Sequence, residues 1–263
     1  LNFGLGHASR CIPIIHQLME QGKEVIIASD GYPQVLLKQE FPQLKHIHLP
    51  SYNITYSKGK SQVWAITKIL PRLAVRIMQE HRLLKKLIEE YQIDTVFSDN
   101  VFGLWNKNVT SVYMTQMPFY LKFLEPLVWL IHGAFIKKYD VCLVPDKFED
   151  GGFAGDLTHK YRLPKNVRFI GIQSRFSKEK GQTPIPEYEI AAILSGVEPQ
   201  RSIFENILIQ ELSKKNIPSL IVRGLPSNNS TKKQINKLSI VSHLNSKEIE
   251  QLLIDSPTII CRS

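Results

Sequence analysis

Apolar positions recur along this chain with two periods, helical and strand-like, and the two alternate. Ile12, Ile15, Leu18 and Met19 fall on one face of a helix over Cys11–Met19, which Gly22 ends. Glu24–Ser29 reads as a buried strand and Gly31–Phe41 as a second helix. Ser61–Tyr91 is a long, amphipathic, basic helix, with Pro71 marking a kink or break. Asp94–Ser98, Thr110–Met114, Asp140–Val144 and Val167–Gly171 are short runs of strand type. Residues 173–188 are polar, charged and bear Pro and Gly, which is linker composition. After them the alternation restarts: strand Glu189–Leu194, helix Pro199–Lys214, strands Ser219–Arg223 and Ser239–Val241, helix Ser246–Leu253, strand Pro257–Cys261. Strand–helix alternation in two blocks predicts α/β architecture, two Rossmann-like, doubly wound domains with parallel sheets. The expected division is a first domain over 1–172, a linker over 173–188 and a second, partial domain over 189–263. Ligands then belong at the carboxyl ends of the strands, in the cleft between the domains.

Both ends read as cut. A glycine-rich turn at Gly4 calls for a strand before it, and a strand ending at Ser263 calls for a loop and helix after it. Composition is that of a globular protein: 263 residues, 43% hydrophobic and 22% charged, which excludes a disordered, collagenous or disulfide-stapled chain. Three scattered cysteines with no CxxC point to a reducing, cytoplasmic compartment and away from structural zinc. The net charge is +9. Residues 57–90 hold eight basic side chains (Lys58, Lys60, Lys68, Arg72, Arg76, Arg82, Lys85, Lys86) against three acidic ones. That segment is either a solvated helix face or a face for an anionic membrane, where each basic residue contributes about 1 kcal/mol. The apolar region 119–135 carries Lys122, Glu125, Pro126 and His132, so it is not a membrane span. It reads as a buried helix, with contact to a membrane surface as the alternative. No nucleic-acid-binding module is recognisable.

Five stretches carry candidate chemistry. In Asn2–Arg10, Gly4 and Gly6 allow a tight turn ahead of a helix whose first amides are unpaired. His7 stands at the crest of that loop, as a general base or as a residue that only hydrogen-bonds the loop. The same GLGHAS stretch nearly fits a dinucleotide fingerprint, with Asp30 as its ribose-binding acid. Ser98, Asp99 and Asn100 follow a strand; Asp99 either orients His7 or, like Ser98, caps a helix. Ser195–Arg201 opens a helix. Ser195, Gly196 and the helix amides then make an anion site to which Arg201 adds charge, unless the segment is an ordinary turn. Arg223 ends a strand and faces either a phosphate or Glu198. Arg262 and Ser263 end another strand, so three strand ends offer Ser or Arg to one cleft. The histidines form no metal constellation, and no metal site is expected. Asp30, Asp140 and Asp146 read as caps or turn residues.

These motifs together resemble a GT-B glycosyltransferase. The likeness is to the family 28 group that includes the peptidoglycan N-acetylglucosaminyltransferase and galactolipid synthases, and within it to a bacterial branch of predicted glycosyltransferases. The residues that carry the resemblance are Gly4–His7, Ser98–Asp99, Leu194–Arg201, Arg223–Pro226 and Cys261–Ser263. It implies two facing Rossmann-like domains, with the nucleotide sugar on the second and the acceptor on the first. It further implies an inverting transfer of a sugar, UDP-linked, to an acceptor hydroxyl of a lipid-linked or cell-envelope glycan. No bound metal and no cofactor beyond the nucleotide sugar as co-substrate are implied. His7 would be the base or acceptor-positioning group and Asp99 its partner. Ser195, Gly196, Gln200 and Arg201 would line the diphosphate site. Arg223 would lie near the nucleotide, and the backbone at His243–Leu244 would face the base. The glycine loop that follows Cys-Arg-Ser in the family, and its ribose-gripping acid, are absent from this sequence. Two other readings compete: an NAD(P)-dependent oxidoreductase using GLGHAS, and a non-catalytic protein that binds anionic surfaces through 57–90. The cytoplasmic reading extends to a peripheral position on the membrane's cytoplasmic face.

Overall fold

The computed structural model describes residues 5–50, 62–116, 125–159, 163–176, 186–196, 198–227 and 231–262, without the side chains of 62–72, 125–128 and 157. In chain order, α1 (Gly6–Glu20) is followed by β1 (Ile26–Ser29), α2 (Gly31–Glu40), β2 (Lys45–His48), α3 (Gln62–Tyr91), β3 (Thr95–Asp99), β4 (Thr110–Met114), α4 (Glu125–Ile136), β5 (Val141–Val144), α5 (Asp156–His159), β6 (Val167–Phe169), β7 (Ile190–Ile193), α6 (Gln200–Lys215), β8 (Ser219–Val222), β9 (Lys232–Ile235), β10 (Leu238–Val241), α7 (Ser246–Asp255) and β11 (Thr258–Cys261). Helix α3 runs unbroken through Pro71, where a kink or break was the expectation. Ile66, Leu73, Ile77, Leu84 and Ile88 keep helical spacing on both sides of the proline, so one apolar stripe favours one helix. Strand β3 extends one residue further than its apolar run and ends on Asp99.

The chain groups into two compact units, Leu1–Ser51 with Ser174–Ser263, and Tyr52–Gln173. The break at 173/174 lies at the start of the segment read as a linker, while residues 1–51 group with the later part of the chain.

In the discontinuous unit, β1 and β2 form a parallel pair, with Ile26 opposite Lys45 and Ser29 opposite His48. Ile12 and Ile15 of α1, Ile27 of β1, and Leu36, Leu37 and Phe41 pack together beside them. A second sheet has the order β11-β7-β8-β10-β9. Its strands β7, β8, β10 and β11 are parallel, and the inner three are buried on both faces, as such sheets require, while β11 at the edge is half-buried. Ala192, Leu194, Ile221 and Ile240 pack with Leu208 and Leu212 of α6. Their neighbours in the period-2 alternation, Ala191, Leu220, Val222 and Val241, pack with Leu252 of α7. Strand β9 pairs antiparallel with β10 at the sheet edge, a departure from the all-parallel expectation. Its Lys232-Lys233-Gln234 run is exposed and carries no apolar signal, the usual composition of a protected edge.

In the continuous unit, β3-β4-β5-β6 form a fully parallel sheet. Tyr113, Cys142, Val144, Val167, Ile136 and Tyr139 make its core. Helix α4 is two-sided: His132, Gly133 and Ile136 are buried, while Leu130 and Ile131 are exposed. The rest of region 119–135, before Glu125, lies outside the described residues. Among the described residues no helix is long and apolar enough to cross a membrane.

Candidate functional site

The parallel strands β11, β7, β8 and β10 deliver four loops to one edge of their sheet. Strand β7 is the point where the order reverses, since the chain goes to β8 on one side and returns as β11 on the other. Crevices at such points are where open α/β sheets bind ligands. The loops after β7, β8 and β10 are tied to one another. Leu194 N donates to Val222 O at 2.9 Å, Arg223 N to Val241 O at 2.9 Å, and Leu225 N to Ser242 O at 2.9 Å. Gly224, at φ +67°, lies against Leu194: a Cβ there would come within 2.3 Å of its carbonyl oxygen. Gly196, at φ +106°, leaves room beside Arg262, whose Nη1 would be 3.1 Å from a Cβ at that position. Ser195, Gly196, Gln200 and Arg262 are all exposed. The strand-end residues singled out from the sequence are therefore brought to one edge; Ser263 lies outside the described residues.

Arg201 does not stand where the sequence reading puts it, and Arg223, at the expected strand end, pairs with a different glutamate. Arg201 is 5% exposed, and its guanidinium is taken up inside the unit. Its Nε donates to Glu198 Oε1 at 2.7 Å and its Nη1 to Glu205 Oε2 at 2.5 Å. Nη2 lies 2.6 Å from Glu198 Oε1. Burial works against the Arg201 charge, but the two glutamates outweigh it and hold its pKa above the usual range. Glu198 also accepts from Ser202 N at 3.2 Å, in the first turn of α6. Burial pushes the Glu198 carboxyl up, and hydrogen bonds from Ser202 and Arg201 more than reverse this. The helix start and guanidinium that the sequence offers to a phosphate thus already hold a carboxylate, that of Glu198. Arg223 pairs with Glu205, not with Glu198: its Nε donates to Glu205 Oε1 at 2.7 Å, and a third of its side chain, 34%, stays exposed. Glu205 was not legible as a site residue. The signal was present, since Glu198, Arg201 and Glu205 share one helix face by their i, i+3 and i+7 spacing.

After β10, His243 is 9% exposed, and neither ring nitrogen has a hydrogen-bond partner among the described residues. Burial, reinforced by the Arg175 guanidinium, lowers its pKa to about 4, against weaker opposing pulls from Glu40 and Glu248. Leu244 is half-buried beside Leu252 and Val241. Helix α7 begins just beyond, with Asn245 as a reciprocal cap to Glu248. Glu40 of α2 accepts from both Ser246 N, at 3.1 Å, and the Ser246 hydroxyl.

The first motif is helical. Gly6 is the exposed first residue of α1 with open space around it, so no tight turn requires a glycine there; Gly4 lies outside the described residues. His7 is half-buried in the first turn of α1, not exposed on a loop crest. Arg10 Nη2 donates to its Nδ1 at 2.8 Å. A guanidinium can only donate, so the neutral imidazole carries its proton on Nε2. The carboxylate of Asp30 accepts from Gly31 N at 2.7 Å as the cap of α2, and lies 3.5 Å from His48 Nδ1. Both contacts fall on Oδ1, so one of the two oxygens that a ribose-binding acid would offer is engaged.

Asp99 belongs to the other unit, half-buried at the carboxyl end of β3. No helix starts there, so neither it nor Ser98 is an N-cap; the Ser98 hydroxyl donates to Val101 O at 2.7 Å. Asn100, at φ +57°, fixes the turn. Its Oδ1 accepts from the Tyr113 hydroxyl at 3.0 Å and from Thr115 Oγ1 at 3.3 Å. With its hydrogen given to Asn100, the Tyr113 oxygen accepts from His132 Nε2 at 3.2 Å. Burial lowers the His132 pKa to about 4 and pushes the Tyr113 hydroxyl well up. Asp146, after β5, accepts from three backbone N–H groups and from Thr158 Oγ1. Asp140 accepts from Ser111 N at 2.7 Å. Among the described residues no three His, Cys, Asp or Glu side chains are grouped so as to hold a metal ion.

No family model matches the chain, and no curated protein matches it. Solved structures do. A Listeria monocytogenes protein assigned as a UDP-N-acetylglucosamine 2-epimerase is similar at TM-score 0.54 and 14% identity, over 97% of this chain and 71% of that one. The glycosyltransferase SnogD of Streptomyces nogalater is similar at TM-score 0.53 and 14% identity, over 97% of this chain and 73% of that one. At this identity the likeness establishes the fold: α/β with parallel sheets, in the company of GT-B-like proteins.

Proposed function

We propose that this chain is a nucleotide-sugar enzyme that transfers a sugar from a UDP-linked donor to an acceptor hydroxyl of a lipid-linked or cell-envelope glycan. The observation that carries the reading is the switch-point edge of the β11-β7-β8-β10-β9 sheet. There Gly196 keeps backbone clear beside the exposed Arg262 guanidinium, with Arg223 on the neighbouring loop. Backbone amides beside guanidinium groups suit a pyrophosphate, and they stabilise a leaving diphosphate without a bound metal. Ser195 and Gln200 complete the polar rim, and the His243–Leu244 loop lies on the same edge. Arg201 supports this site from beneath. The fold shared with a glycosyltransferase and with a protein assigned to a UDP-sugar is consistent with it. His7 presents Nε2–H in the tautomer that Arg10 selects, which suits it to orient an acceptor oxygen. To act as a base it must first exchange tautomers and give up Arg10. In an inverting displacement the acceptor oxygen would bond to the anomeric carbon on the side opposite the departing diphosphate as the sugar–phosphate bond breaks, and Asp99 is the candidate partner on the acceptor side. A membrane-borne acceptor is supported by α3, whose exposed Val75 and Met78 stand at helical spacing from Arg82, Lys85 and Lys86.

The test is a donor panel that follows nucleoside diphosphate release, with and without acceptor lipids. UDP-sugars are expected to turn over when acceptor is present. Arg262→Ala should raise KM for the donor about tenfold or more with folding unchanged, because a charge-assisted hydrogen bond to phosphate is lost at an exposed position. An unchanged KM would remove Arg262 from the site. Interconversion of a UDP-sugar without acceptor would make the chain an epimerase, and turnover of no nucleotide sugar would end the reading.

A further inference from the structure

The sequence presents Arg201 and Arg223 as two independent cations, whereas the structure strings them on one carboxylate. Glu205 is 7% exposed on α6 and spans the two arginines, Oε2 on Arg201 Nη1 and Oε1 on Arg223 Nε. Arg201 Nη1 also reaches the backbone carbonyl of Arg223 at 3.4 Å. Arg223 is therefore gripped at two places, its Nε and its main chain. Glu198, Arg201, Glu205 and Arg223 form an alternating chain of charges whose last member sits on the loop after β8, at the edge where Gly196 and Arg262 stand. Buried ion pairs are a weak source of stability, since desolvation cancels most of the Coulomb gain. An apolar contact between α6 and β8 would hold the two elements together as well. What it would not do is fix the plane of a guanidinium, and a planar fork in a set orientation is what bidentate phosphate recognition needs.

We propose that Glu205 is a positioning residue, and that its carboxylate, itself held by Arg201, aims the Arg223 guanidinium at the phosphates of the bound nucleotide. This rests on the nucleotide-sugar reading of the same edge. Arg201 then acts two steps back, as the counter-ion that locks Glu205, and only Arg223 touches phosphate.

A double-mutant cycle on the binding of UDP and of inorganic pyrophosphate, followed by titration calorimetry, tests it. Glu205→Ala should raise the Kd about tenfold, Arg223→Ala by a similar or larger factor, and the double variant no further than Arg223→Ala alone. A Glu205 role confined to structure would weaken binding by the same factor in both backgrounds, and that result overturns the proposal. Arg223→Lys serves if Glu205→Ala does not fold, because position 223 is partly exposed. Lysine keeps the charge but has no Nε–H for Glu205 to hold, so it should bind as poorly as Arg223→Ala; wild-type affinity in Arg223→Lys overturns the proposal. Binding that Arg262→Ala weakens and Arg223→Ala does not leaves the site standing and removes Glu205 from it. Failure of the unsubstituted protein to bind either probe removes both.

Discussion

Gly224→Ala should be the most damaging small substitution at the candidate site, lowering stability by roughly 3 kcal/mol or more. Two costs coincide at that position. The residue sits at φ +67°, where an L side chain is strained, and its Cβ would lie 2.3 Å from the backbone oxygen of Leu194. A backbone atom cannot rotate aside as a side chain can. Relief must come from moving the loop after β8 away from the loop after β7, and that separates Arg223 from Ser195 and Gly196. Chemical denaturation should show the loss, and UDP affinity should fall with it. Gly224→Asn is the informative companion. Asparagine tolerates positive φ but carries the same Cβ, so it should be nearly as harmful. If Gly224→Asn is tolerated and Gly224→Ala is not, backbone conformation alone is at issue and the close approach of the two loops is not. If Gly224→Ala costs less than 1 kcal/mol, the two loops are not in contact.

Stability should also fall as pH drops from about 6.5 to 4, by up to about 3 kcal/mol for each of two buried histidines. His132 and His243 both have folded-state pKa values lowered from 6.5 to about 4, chiefly by burial. Between those values the unfolded chain binds a proton at each histidine and the folded chain does not. Stability therefore rises with pH across this window and is fully present above it. The surroundings differ. His132 donates to Tyr113 in the continuous unit, whereas His243 faces the Arg175 guanidinium with Glu40 and Glu248 opposed to it. Trp64, Trp105 and Trp129 all belong to the unit of His132, so tryptophan fluorescence follows that unit while circular dichroism follows both. His132→Gln should flatten the fluorescence-detected pH dependence, and His243→Gln should flatten only the part seen by circular dichroism. A transition midpoint independent of pH over this window would contradict both assignments.

What the sequence made legible was what apolar periodicity encodes. Thr110–Met114 was read to the residue, and β7, β8, β10 and β11 to within one or two at their ends, because the strands of a parallel sheet covered by helices are short, mostly apolar runs. Strand β9 was invisible for the opposite reason: Lys232, Lys233 and Gln234 are edge residues facing water. The motif at Ser195–Arg201 was legible as a place but not as an arrangement. Residue type and helix position suggested that Arg201 faces an anion, which it does, but the anions are Glu198 and Glu205. Side-chain direction decides between a ligand and a neighbour, and one sequence carries little of it. His7 shows the same limit. It was read on a loop crest, whereas it lies in the first turn of α1, and its hydrogen bond from Arg10, and with it the tautomer, could not be read at all.

The central claim is that a pyrophosphate is held where the loops after β7, β8 and β11 meet. Calorimetric titration of the unsubstituted protein with UDP, uridine and NAD tests it most directly. UDP should bind, inorganic pyrophosphate should compete with it, uridine should bind far more weakly, and NAD should not displace it. Binding of NAD in preference to UDP, or equal affinity for uridine and UDP, would contradict it.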